Sequence, residues 1–380
     1  MKTKLYVTRT AKIACMILAL MVSVAFLQQY VLRRMDHNSI RLDGYYLEDP
    51  NSLDVVSIGA SDIYTSFIPG RAYAKFGFTG YSVASESITS EGLKTALKEV
   101  VRTQKPKVIL IEANAFLYGK SDNEKNEAHI RKLMDNLPIS INKIEYITNN
   151  VPPEDWAEYY MPIIKYHTIW RDYPGPKLRA ASTLKQDLRG YSYLKGFRTT
   201  TSVFKTNLKC LNGKLANENE AYDLNPELYD KLIELLEFCK EEKLDNVVFI
   251  RAPHYVTRQT YDRVKRSNKM AEIVESYGYD YLNLERKVKE IGIDEKTDFY
   301  NADHMNIYGA VKFTDYLGKL LQDEYGVGKS ELTRVQQMRW QKAAEGSESL
   351  YNYCDHLIKS NKEIKLEEDI NTLRDMDKYK

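Results

Sequence analysis

Val55-Val56-Ser57-Ile58-Gly59-Ala60-Ser61-Asp62 is a short apolar run, rich in β-branched residues, that ends in a Gly-x-Ser turn. Such a run, bounded by turn residues, reads as a strand buried on both faces. Glycine lets the chain turn tightly behind it and presents Ser61 at a helix start, where free backbone N–H groups can stabilise an oxyanion. Taken alone, Ser61 reads as an N-cap serine. About 240 residues further on, Asp298-Phe299-Tyr300-Asn301-Ala302-Asp303-His304-Met305-Asn306 forms a polar turn before the last helix of the core. Alone, His304 reads as an exposed capping histidine. Together a serine after the first strand and a histidine before the last helix are a nucleophile and its base, which predicts acyl transfer or ester hydrolysis.

Outward from that strand, segment types alternate. Strands are expected at Leu53–Gly59, Gly80–Ala84, Lys107–Ile111, Asn246–Ile250 and Tyr279–Leu284. Helices are expected at Ser90–Gln104, Pro226–Lys243, Thr257–Tyr277 and Ile307–Glu324. Strands separated by helices imply βαβ units, hence an α/β fold with a parallel sheet and helices on both faces. Ligand sites in such sheets lie beyond the carboxyl ends of the strands, which is where Ser61, Asn114 and Arg251 fall. His254, in Arg251-Ala252-Pro253-His254, reads as a loop histidine at the same edge. Residues 117–224 break the rhythm with Pro138, Pro152-Pro153 and Pro162 and with the aromatic cluster Trp156-Ala157-Glu158-Tyr159-Tyr160. They read as an insertion, whose rings either stack on sugars or form a small core of their own. The charge-rich residues 329–380 read as a helical appendage, with Trp340 and Tyr351/Tyr353 as docking points.

Ile13 to Leu32 is an uncharged stretch of the length needed to cross a bilayer as a helix. Lys2, Lys4, Arg9 and Lys12 precede it, which by the positive-inside rule puts residues 1–12 in the cytoplasm and the rest of the chain outside. A cleaved signal peptide is the rival, with Ser23-Val24-Ala25 as the cleavage tripeptide. The apolar run continues past that point and favours an uncleaved anchor. Residues 33–52 read as a polar juxtamembrane linker, and 53–328 as the catalytic domain with its insertion.

The net charge of +2 and the lack of a basic run interleaved with aromatics argue against nucleic acid as a partner. The four cysteines, Cys15, Cys210, Cys239 and Cys354, have no metal-ligand spacing, and no glycine-rich phosphate loop is present. No metal, redox group or other cofactor is expected. A Cys210–Cys239 bridge stays open.

In order along the chain, these signals resemble the SGNH/GDSL hydrolase superfamily. Its first block is matched by Gly59-Ala60-Ser61, with Pro69 downstream, and its third by Ile111-Glu112-Ala113-Asn114, where Glu112 replaces the usual glycine. His304, with Met305-Asn306 and Gly309-Ala310, matches its last block. Val83-Ala84-Ser85-Glu86-Ser87 is a poor second block. The resemblance spans residues 53–120 and 245–320 and implies a three-layer, flavodoxin-like parallel sheet. It also implies Ser61 as nucleophile, His304 as base, and Asn114, with Ser85 and Arg251 more weakly, around the oxyanion and substrate. The aspartate expected three residues before the histidine is Asn301. Asp303 or Asp298 replaces it from a shifted position, or Asn301 orients a Ser-His dyad, or catalysis is lost. With the anchor, the chain is similar to cell-envelope acyl-transfer proteins, such as the D-alanyl-transfer protein of teichoic acid synthesis and the alginate and peptidoglycan O-acetylation proteins. That similarity implies a surface glycan or teichoic acid as acceptor and an acyl donor delivered by a polytopic membrane-bound O-acyltransferase. An esterase acting on the same polymers and a non-catalytic glycan-binding scaffold are the alternatives.

Overall fold

A computed structural model describes residues 2–33, 36–171 and 175–379. Its centre is a parallel sheet of five strands, β1 (Val55–Gly59), β2 (Gly80–Ala84), β3 (Val108–Glu112), β4 (Val247–Arg251) and β5 (Asp280–Asn283). The strand order is β2-β1-β3-β4-β5, the doubly wound order in which ligands sit where the winding reverses, between β1 and β3. Val56 pairs with Tyr81 on one side and Ile109 on the other. Alternate side chains leave the sheet on opposite faces. Val56, Ile58, Ile109, Ile111, Val247 and Phe249 join one core with helices Ser90–Thr103 and Pro226–Glu241. Val55, Val108, Leu110, Val248 and Ile250 join the other with helix Ile307–Tyr325, through Phe313, Leu317 and Leu321. Burial on both faces explains why the strands read as unbroken apolar runs rather than alternating ones.

The expected linker is different. Within residues 33–52, helix His37–Tyr45 is capped by Asp36 and is buried along most of its length. It lies in the body because Leu42 and Tyr45 join the core and Arg41 finds partners there. Arg41 Nε donates to the Ala84 carbonyl at 2.8 Å, and its guanidinium lies 3.8 Å over the Tyr64 ring. The C-terminal residues are also integrated. Helix Arg334–Lys359 packs along helix Pro69–Phe76, with Trp340 buried against Tyr73. Within the insertion, Thr199–Thr200 pairs with Lys365–Leu366 as a two-stranded ribbon. The insertion's aromatics pack inward: Tyr159 is 2% exposed and Trp156 Nε1 donates to the Val151 carbonyl. Cys210 and Cys239 are free thiols, because Cys239 packs inside the sheet–helix core while Cys210 lies in another layer.

Helix Lys2–Tyr30 contains a 22-residue stretch, Arg9–Tyr30, long and apolar enough to cross a membrane. Its apolar side chains, such as Met16, Leu20 and Val22, are exposed.

Candidate active site

The chemically active side chains gather at the carboxyl edge of the sheet, from the ends of β1, β3, β4 and β5 and from the turn before helix Ile307–Tyr325. Ser61 opens the short helix Ser61–Tyr64 directly after β1. The preceding turn demands glycine at position 59, because a Cβ there would stand 2.7 Å from Glu112 Cβ on the neighbouring strand. His304 is held by a tight turn. Phe299 and Met305 bridge across it, and the Tyr300 N–H donates to the His304 carbonyl at 3.1 Å. Asn306 then caps helix Ile307–Tyr325, accepting from the Tyr308 and Gly309 N–H groups. Gly309 is needed because a side chain would strike the Asp298 carbonyl.

These two turns bring Ser61 and His304 together. Ser61 Oγ lies 2.6 Å from His304 Nε2, and His304 Nδ1 lies 2.9 Å from Asn301 Oδ1. The Asp303 N–H also donates to Asn301 Oδ1 at 2.9 Å, which fixes the amide with its oxygen toward the imidazole. An oxygen can only accept, so the ring proton sits on Nδ1 and Nε2 is left to accept from the Ser61 hydroxyl. Tyr300 stacks parallel on the imidazole at a centroid distance of 5.2 Å. Burial lowers the His304 pKa from its ordinary value, against the opposing pull of Asp62 and Asp303. His304 is therefore a neutral base at neutral pH.

Neither aspartate alternative for the third position reaches the ring. Asp303 turns its carboxylate outward to Arg263 Nη1 at 3.0 Å. Adjacent residues on this turn project apart, and the i−3 position, Asn301, faces the imidazole instead. Asp298 is buried behind the turn, bonded to Lys312, Thr297 and the Asp294 N–H.

Beneath the pair lies a network of buried charges. His254 Nε2 is 2.7 Å from Asp62 Oδ1, and its Nδ1 is 2.8 Å from Glu285 Oε1. Arg251 donates to Asn114 Oδ1 at 2.6 Å and approaches Glu285 at 3.4 Å. Asn114 Nδ2 donates to Asp62 Oδ1 at 3.1 Å, with a longer contact of 3.4 Å to Tyr118. Burial and the charge of Arg251 work against a cationic His254, but the bonds to Asp62 and Glu285 prevail and raise its pKa to about 9. Burial likewise opposes ionisation of Asp62, and the bond and charge of His254 outweigh it and lower its pKa. Glu112 goes the other way: burial and the nearby Asp62 raise it to about 8. Two cations (Arg251, His254) thus balance two anions (Asp62, Glu285), with Glu112 protonated at neutral pH.

The expected residues therefore separate. Ser61, His304 and Asn301 form one chain of hydrogen bonds, while Asn114 and Arg251 belong to the buried network. Ser85 lies at the end of β2 with its N–H committed to the Gly59 carbonyl at 3.1 Å. Its hydroxyl is buried without a hydrogen-bond partner. His254, which in the sequence reads as a loop histidine at this edge, is instead part of the network, and Asp62 and Glu285 belong to no motif of the sequence. The signal for all three was their position just past β1, β4 and β5. No group of three His, Cys, Asp or Glu side chains able to hold a metal occurs among the described residues.

No protein-family model matches this chain, and no curated protein matches it.

Proposed function

We propose that the chain is an anchored serine acyltransferase of the SGNH type that transfers an acyl group to a hydroxyl of a cell-envelope glycan or teichoic polymer. The observation that carries this reading is the hydrogen-bonded chain Ser61–His304–Asn301 at the carboxyl edge of the sheet. In the first half-reaction His304 Nε2 takes the Ser61 proton while Oγ bonds to the acyl carbonyl carbon. The leaving group departs with that proton. In the second half-reaction the acceptor hydroxyl gives its proton to Nε2, its oxygen bonds to the acyl carbon, and the Ser61 ester bond breaks, returning the proton to Oγ. The second Asn114 N–H, with only its long contact to Tyr118, is the side-chain donor available for the oxyanion.

Asn301 orients the imidazole without a charge. The buried anion nearest in effect is Asp62, which favours the imidazolium as it forms without touching the ring. The apolar N-terminal helix supports an anchored chain; in this reading the globular body lies outside the cell, as the basic residues before the helix suggest, beside a membrane-bound O-acyltransferase, as the resemblance implies. Removal of acyl groups would use the same residues with water as acceptor; the partial exposure of Ser61 and His304 is the feature that favours it.

The test is labelling of the full chain, in detergent micelles, with a fluorophosphonate. Wild type should label, and both Ser61→Ala and His304→Ala should not. A folded wild-type protein that fails to label would overturn the reading.

A further inference from the structure

Beside Ser61, away from the buried charge network, three buried polar atoms have no hydrogen-bond partner, Asn38 Nδ2, Ser85 Oγ and Arg198 Nε, and His37 Nε2 has only a 3.4 Å approach to Glu86 Oε2. They come from three separate parts of the chain, and Tyr64, three residues after Ser61 in the same short helix, ties them together. The His37 ring meets the Tyr64 ring edge-on at 6.2 Å. The Arg198 N–H donates to the Tyr64 carbonyl at 3.0 Å. Asn38 uses its oxygen to accept from the Glu86 N–H at 3.0 Å and from Arg41 at 2.5 Å, which leaves its NH2 group spare. Ser85, next to Glu86, is pinned to the end of β1 by its bond to Gly59.

Asn38 Nδ2 and Arg198 Nε can only donate, the Ser85 hydroxyl is free to donate, and His37 donates in one of its tautomers. A buried donor left unmade is costly, and three close together mark a site built for an acceptor-rich occupant. The charge agrees. Arg41, Lys132, Arg179 and Arg198 stand close enough that, after burial itself, they are what hold His37 far below its ordinary pKa. The carboxylates among them are Glu86, 3.1 Å from Lys132 and 3.4 Å from His37, Glu367, 3.4 Å from Arg179, and Asp36, which caps the His37 helix and acts on Arg41. Four cations against three anions leave the surroundings of these donors net positive.

We infer that these donors form an anion subsite, which holds a phosphate or carboxylate group of the acceptor polymer beside the hydroxyl that attacks the Ser61 ester. The inference rests on the Ser61 reading for its purpose, but binding can be tested without it. Inorganic phosphate, glycerol 1-phosphate, glucuronate and glucose would be titrated into the full chain in micelles at matched ionic strength. The unfolding midpoint and the rate of fluorophosphonate labelling would both be followed. Saturable stabilisation by the anions and not by glucose is expected, with slower labelling as the subsite fills. Tighter binding of glycerol 1-phosphate points to a phosphodiester polymer, and of glucuronate to a uronate polymer.

Arg198→Gln should weaken anion binding tenfold or more, and Arg198→Lys should recover part of it. Asn38→Asp keeps both acceptor bonds but puts a negative charge in the subsite, and should abolish binding even if Arg198 variants fold poorly. Anions that bind no better than glucose, or bind Asn38→Asp as well as wild type, would overturn the inference and leave the nucleophile untouched. Anion binding by a chain that never labels would sustain the subsite and sink the serine reading.

Discussion

Two histidines stand at the same edge of one sheet and do opposite things. His304 faces a hydroxyl on one side and an amide oxygen on the other, neither of which carries charge. Burial lowers its pKa and it stays a neutral base. His254 faces a carboxylate on each side, and those bonds raise it to about 9. It is a cation at neutral pH and has no lone pair to offer. The side chain is the same, and its partners alone decide whether it accepts a proton or holds a framework together.

The contrast breaks most sharply at the neutral base. Ser61→Ala removes the labelled atom, and labelling should vanish. His304→Gln keeps the shape of the site without its basicity, and labelling should slow by about 10²–10⁴-fold, with little change in the unfolding midpoint. Because the base must be unprotonated, the wild-type rate should fall on acidification with a midpoint below the ordinary histidine value near 6.5. A midpoint above that value would refute the assignment of His304 as the base.

The charged histidine should show the converse. His254→Leu leaves Asp62 and Glu285 buried without their shared cation, and breaking such a pair costs about 3–5 kcal/mol. The readout is the denaturant midpoint, and an unchanged value would mean the network carries no stability. The same network sets a pH dependence. His254 and Glu112 both have folded pKa values raised above their unfolded ones, to about 9 and about 8. Each contributes stability that is fully present below its unfolded value and lost as pH rises through its folded value. The unfolding midpoint should therefore decline between neutral pH and about 9. Glu112→Gln, which mimics the protonated acid, should flatten the part of that decline that ends near pH 8.

Asn301→Asp is the sharpest probe of the difference between the two histidines, because it gives His304 one of the carboxylate neighbours that His254 has. The acid limb of the labelling rate should move to higher pH. Asn301→Ala should slow labelling by about tenfold or more, through loss of the tautomer-fixing bond. An unmoved limb in Asn301→Asp would mean that the turn does not hold residue 301 against the ring.

Much of the frame was legible before the structure. Strands buried on both faces read as continuous apolar runs, and the five expected strands are the five of the sheet. Ser61 and His304 were legible because each follows a local rule, a glycine turn after a strand and a polar turn before a helix. The buried network was not, because Asp62, His254 and Glu285 acquire meaning only when β1, β4 and β5 lie side by side. Nor was the helix at His37–Tyr45. Its sequence is largely polar, and its burial shows only where Leu42 and Tyr45 join the core and Arg41 meets Tyr64 and Ala84.

The smallest effect tests the one point where chain adjacency and geometry disagreed. Asp303 sits next to His304 and carries the charge that the Ser-His-Asp pattern wants, yet its carboxylate pairs with Arg263 at the surface. Its backbone N–H, not its side chain, serves the site by fixing Asn301. Asp303→Asn retains that N–H and removes only a surface ion pair, a change worth about 0–1 kcal/mol. Asp303 also helps hold the His304 pKa up, so its loss should move the acid limb slightly downward. Labelling at neutral pH should change by less than about threefold. A loss as large as that of Asn301→Ala would make Asp303 the residue that orients the base, and the third position would pass from the amide to the carboxylate.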